Sequence, residues 1–215
     1  MLENMPIPAD TAGIAALCHL CITNLPSGFL KGTDSMKSIF ILLTRSHTLL
    51  SRLIGGLTGD PYTHVSIAFD KGLTVLYSFA RRWASLPLPA GLVCERLDAG
   101  YYGRHGKIPC ALLELQVSDE VHARAQERLE HMLSDARAYK YSILGLAMCK
   151  LNRPYRRQRY YFCSQFVGEL LVFSGALTLP KPSCLMRPTD YDLLGKQVVC
   201  RYRGALDLLR SDICA

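Results

Sequence analysis

The sequence predicts an α+β fold in which an antiparallel sheet packs against helices. Apolar runs of strand length recur between Lys37 and Val117, two of them joined by a short turn. Stripes at helical period, preceded by capping residues, fill the second half of the chain. One of those helices opens on a cysteine, Cys163, which places a thiol at a helix N-terminus.

Strong patterning starts at Met36. Residues 1–35 hold Pro, Gly, Ser and Thr around one short apolar patch and read as an N-terminal extension; residues 36–215 read as a single domain. KSIFILL (37–43) is a continuous apolar strand. SHTLLSRLIGGL (46–57) then offers Ser46 as N-cap, Leu49, Leu50, Leu53 and Ile54 at helical spacing, and Gly55 as a stop. YTHVSIAF (62–69) and LTVLYSFA (73–80), joined by Asp70, Lys71 and Gly72, form a hairpin. Alternation along its first strand sets Val65, Ile67 and Phe69 on one face and His64, Ser66 and Ala68 on the other.

GLVCERL (91–97) and IPCALLELQV (108–117) are further strands. Ser118 caps a long helix over 118–140 whose apolar stripe is Val121, Ala125, Leu129 and Met132; His122 and His131 on it are expected to be solvated. A more apolar helix follows over 141–151, then the basic loop NRPYRRQR (152–159) and the cysteine helix, which Gly175 ends. Pro188 and Asp190 mark a short helix in RPTDYDLL (187–194), and QVVCRYR (197–203) is a last strand. No internal repeat or low-complexity tract is present.

Composition narrows the function classes. A hydrophobic fraction of 49% with 20% charged residues is that of a packed globular chain. The formal net charge is +7, and the most concentrated basic stretch is the loop at 152–159, which suits peripheral contact with an anionic surface, but no nucleic-acid recognition motif accompanies it, so no nucleic-acid partner is expected. Nine cysteines, odd in number and irregular in spacing, do not read as a disulfide framework and point to a reducing compartment. Cys18 and Cys21 resemble half of a zinc site without a second pair, so no metal is expected. No apolar run has the length of a transmembrane helix, and the N-terminus lacks the basic region of a secretory signal. A non-exported, cytoplasmic protein is the expectation. No dinucleotide or phosphate-binding glycine motif occurs, so the chemistry should need no cofactor.

Cys163 lies in the first turn of its helix, where unpaired N–H groups and the helix dipole stabilise a thiolate. The same N–H groups suit an oxyanion forming on a substrate carbonyl. Of the six histidines, His64 is the one on a strand face shared with small residues, leaving room for a helix terminus or substrate. An imidazole within reach of a thiol makes a pair suited to acyl transfer.

The segments YTHVSIAFD and LYSFARR, followed nearly a hundred residues later by FCSQFV, resemble the circularly permuted branch of the NlpC-type papain-like superfamily. That superfamily includes bacterial cell-wall peptidases and, more remotely, lecithin:retinol acyltransferase-like enzymes. In its ordinary members the cysteine helix precedes the histidine strand; in permuted members the histidine comes first, as here. The resemblance spans Met36 to the RPTDYDLL segment. It implies a permuted papain-like fold, Cys163 as nucleophile and His64 as general base. It also implies a third polar residue on the strand after the histidine. That strand has no carboxylate, Asn, Gln or second His, so Ser78 is the expected residue and Tyr77 the alternate. Tyr161 either lends a hydroxyl to the substrate pocket or packs in the core; Ser164 and Gln165 are further substrate or oxyanion candidates, with a helix cap the alternative for Gln165.

The implied function is a cysteine hydrolase, a peptidase or amidase, that cleaves a peptide, cell-wall fragment or acyl-amide through an acyl-enzyme. A lipid acyltransferase or thioesterase is the alternative enzyme. A non-catalytic binding module on the same fold is the alternative of another class.

Overall fold

The structure, a computed structural model, describes residues 36–45, 59–81 and 90–214. The extension at 1–35, the cysteines Cys18 and Cys21, and the helix expected over 46–57 lie outside the described residues. Among the described residues the architecture is α+β, built on one sheet of eight strands: β1 (Met36–Thr44), β2 (His64–Ala68), β3 (Leu76–Arg81), β4 (Ala90–Glu95), β5 (Pro109–Ser118), β6 (Lys140–Tyr141), β7 (Tyr160–Tyr161) and β8 (Val199–Ala205). Their spatial order is β7-β6-β4-β3-β2-β1-β5-β8. Every pairing is antiparallel except that of β6 with β7.

β1 is apolar on both faces because the sheet is covered on both. Ile39, Ile41 and Leu43 enter one core; Phe40 and Leu42 enter the other. The first core is closed by α2 (Asp119–Ser134) and α4 (Cys163–Ser174), through Ala125, Leu129 and Met132 on one helix and Phe166, Val167, Leu170 and Leu171 on the other. The second lies under α1 (Gly100–Arg104) and α5 (Leu206–Cys214), which contribute Tyr102, Leu206 and Leu209. Between α2 and α4 runs α3 (Ile143–Lys150).

Ser118 caps α2 as expected, its side chain accepting the N–H of Val121. The helix stops at Ser134, however, short of Lys140. The chain turns there because Lys140 pairs with Gly91 on β4 and with Tyr160 on β7, so that sheet contacts override the helical pattern. His122 also departs from expectation. It is buried, with its ring edge-on to Phe69 at 5.3 Å between centroids, and joins Ala125, Leu129 and Met132 on the inner face. Burial lowers its pKa, and a neutral imidazole fits such a site.

α4 ends at Gly175, whose φ of 79° allows its N–H to return to the last turn. At the other end of this helix, Tyr191 from the 3-10 segment Pro188–Leu193 donates its hydroxyl to the Ser164 carbonyl at 2.5 Å. Gly168 makes room for it: a Cβ there would lie 2.7 Å from the Tyr191 oxygen. The start of the cysteine helix is thereby fixed from outside.

Candidate active site

β2 begins at His64, whose register partner on β1 is Thr44. Alternation sends Val65 and Ile67 to the α2–α4 side, while His64 and Ser66 point the other way. Ser78 on β3 and Glu95 on β4 reach the same side. Glu95 Oε2 lies 3.1 Å from His64 Nε2 and accepts hydrogen bonds from Ser66 Oγ at 2.9 Å and Ser78 Oγ at 2.6 Å. Behind these groups, the Tyr102 hydroxyl sits 3.5 Å from Ser66 Oγ and 3.4 Å from Thr44 Oγ1.

The His64 and Glu95 side chains are only 14% and 18% exposed, so the pair sits mostly out of water. Burial pulls the His64 pKa down, but the Glu95 charge and a hydrogen bond with the Cys163 side chain outweigh it, and the imidazole is pushed up to about 10. Burial likewise favours protonation of Glu95; the His64 charge and the hydrogen bonds from His64, Ser78 and Ser66 prevail and hold its carboxyl below the ordinary value. Near neutral pH the two form an imidazolium–carboxylate pair. Nε2 is the ring nitrogen committed to Glu95.

Cys163 is the first residue of α4 and is 4% exposed. Phe162 precedes it as the N-cap without any side-chain cap bond, so the first-turn N–H groups have no competing side-chain acceptor there. On its open side the residue lines a cleft with Tyr62, Thr63, Tyr141 and Ser164, rimmed by Asp60, Lys150 and Arg187. His64 does not line this cleft; Cys163 is the point at which the buried ion pair and the cleft meet.

The remaining sequence candidates scatter. Ser78 does not take the place expected of it against the ring: it donates to Glu95 and acts on His64 at one remove. Tyr77, the register partner of Ile67, belongs to the core on the opposite face. Tyr161 packs against Phe79 at 5.2 Å. Ser164 lines the cleft, but its hydroxyl donates to the Met186 carbonyl at 2.6 Å. The Gln165 amide is turned to Glu169 Oε1 at 3.2 Å. Glu95 is the residue sequence reasoning missed, because the carboxylate comes from the strand after the one searched. A signal was present: in GLVCERL, alternation sets Glu95 opposite to Leu92 and Cys94 in facing, and a carboxylate within a covered strand needs a partner.

Among the described residues, no cluster of His, Cys, Asp and Glu is arranged to hold a metal ion. No family model, curated protein or solved structure matches the chain.

Proposed function

We propose that the chain is a cysteine hydrolase of circularly permuted papain-like type, cleaving an amide through a Cys163 acyl-enzyme. The observation that supports it most is the buried Glu95–His64 pair, in which one carboxylate orients and charges the imidazole, with the Cys163 side chain adding to the rise of its pKa. The thiolate attacks the substrate carbonyl carbon, and the first-turn N–H groups of α4 stabilise the oxyanion. His64 gives its proton to the departing amine as the C–N bond breaks, leaving a thioester. The now neutral imidazole takes a proton from water, whose oxygen attacks the thioester; the acid leaves and the sulfur regains its paired state. Glu95 keeps its charge throughout and positions the ring.

Limiting iodoacetamide tests this reading. Burial pushes the thiols of Cys110 and Cys149 up to about 12 and about 11, so both should be slow near neutral pH. Cys163 should be modified first, and His64→Ala should abolish its lead. Muropeptides and acyl-amino acids, followed by mass spectrometry, should then show cleavage that Cys163→Ala lacks. Slow, uniform labelling of all thiols would favour the binding module instead.

One feature favours a lipid acyl substrate as a second reading. Leu144, Ala147, Met148 and Leu151 recur at helical spacing on α3 and the residue after it, and Ile143, Leu144 and Leu151 are 55%, 55% and 67% exposed. The inner face of α3 supplies Leu146, Cys149 and Lys150 to the cleft, and the basic loop follows directly. An apolar stripe beside basic side chains suits an anionic bilayer. Cosedimentation with phosphatidylglycerol vesicles, lost in Leu144→Ser/Leu151→Ser, would support it; absence of binding by the unaltered protein would remove it. Among the described residues no helix is long and apolar enough to cross a membrane.

A further inference from the structure

We propose that Arg203, which does not itself line the cleft, is a positioning residue that sets the cleft's width beside Cys163, so that the sulfur accepts an acyl group unbranched next to its carbonyl. This rests on the hydrolase reading and adds the shape of the acyl group to it. The cleft encloses about 30 Å³, room for about two or three water-sized groups. In so small a space the placement of one wall decides what enters. Tyr62, Phe162 and Pro188 line it together with Cys163, and Tyr62 belongs to the same core cluster as Cys163.

The Tyr62 ring is held at its far end. Arg203 Nη1 donates to the Tyr62 hydroxyl at 2.6 Å, and Nη2 donates to Asp192 Oδ1 at 2.6 Å. A planar guanidinium that serves two acceptors at once fixes their relative placement, which a single flexible donor does not. Arg203 comes from β8, where it is the register partner of Ala111 on β5, so the sheet sets its backbone. Asp192 comes from the 3-10 segment Pro188–Leu193. That segment also sends Tyr191 to the Ser164 carbonyl at the start of α4 and Thr189 Oγ1 to the Tyr62 carbonyl at 3.5 Å. One short segment thus ties the Tyr62 wall and the cysteine turn to each other. The Arg203 side chain is 52% exposed and Tyr62 only 4%, so the guanidinium acts on the cleft through the ring.

Two isomeric esters test this without knowledge of the natural substrate: p-nitrophenyl butyrate and p-nitrophenyl isobutyrate differ only in the branch beside the carbonyl. The thiolate attacks the ester carbonyl carbon, the C–O bond breaks, and p-nitrophenolate leaves with the electron pair as the thioester forms. The release that Cys163→Ala lacks is measured for each ester, and the butyrate-to-isobutyrate rate ratio is divided by that of free N-acetylcysteine. The unaltered protein should favour the straight chain by about tenfold beyond the free thiol, the scale of one misplaced methyl in a shaped pocket. Arg203→Gln should lower that preference by about threefold, and Tyr62→Phe, which keeps the ring and removes the acceptor, should lower it equally. The double variant should lose no more than either single one, because both break the same contact. If Arg203 only braces the fold, both esters slow alike and the ratio stays put, which overturns the inference. A ratio in the unaltered protein equal to that of the free thiol, or additive effects of the two substitutions, also overturns it. The conservative Tyr62→Phe keeps the test decisive if Arg203→Gln fails to fold. Absence of Cys163-dependent release from either ester counts against the hydrolase reading itself.

Discussion

A carboxylate oxygen that meets an imidazole and two hydroxyls at once has little reason to take up a proton. That is the position of Glu95 Oε2, and it explains why His64 stays charged although burial opposes it. Glu95→Gln keeps the shape but removes the charge. Its His64 titration should drop well below the unaltered value, and hydrolysis should slow by about 100-fold, the lower end for loss of a tuned general base. Ser78→Ala removes one donor and leaves the charge, so it should cost stability of about 1.5–3 kcal/mol in urea unfolding, as for hydrogen bonds to ionised groups, while largely sparing the titration. At this scale the place of Cys163 at a helix start and of His64 on its strand was legible, because helix position and strand facing are local properties. Glu95 was not, because its approach to His64 depends on β3 lying between β2 and β4, and strand order is not written in any single segment.

Among the elements, α4 carries the nucleophile and is held at its first turn by Tyr191. Gly168→Ala would drive a methyl against the Tyr191 hydroxyl, 2.7 Å from the ideal Cβ, and against Leu179 Cδ1 at 3.1 Å. The variant should lose about 1–3 kcal/mol, the usual cost of overpacking, and the lead of Cys163 in labelling should shrink as the turn shifts. Tyr191→Phe opens the space but removes the hydrogen bond that its hydroxyl donates to the Ser164 carbonyl. The double variant should therefore be less destabilised than the sum of the two, a coupling that equilibrium unfolding of all three variants reads directly. The long periodic elements were visible in advance: β1, β5, α2, α3 and α4 each span enough residues for alternation or a helical stripe to repeat. The short ones were not. α1 has five residues, and β6 and β7 have two each, too few for any period to register; they exist because of what they pair with or cover.

Across the whole molecule, a buried ion pair ties folding to pH. The His64 pKa is raised from 6.5 to about 10, so its contribution is fully present below the unfolded value and is lost as pH rises through about 10. Glu95 is lowered from 4.5, so its contribution is present above that value and is lost as pH falls through the folded pKa. Thermal unfolding should thus show greatest stability between these limits. His64→Ala should flatten the alkaline flank relative to the unaltered protein and destabilise the molecule near neutrality, since Glu95 is left charged with only hydroxyl partners. The α+β class could be read from the segments alone; the site's charge state could not, because it is set by three strands and a helix converging. The titration of the His64 ring by NMR tests that convergence most directly. The account predicts a ring still protonated well above neutral pH, with a midpoint near 10 that falls in both Glu95→Gln and Cys163→Ala. A midpoint near 6.5, indifferent to both substitutions, would contradict it.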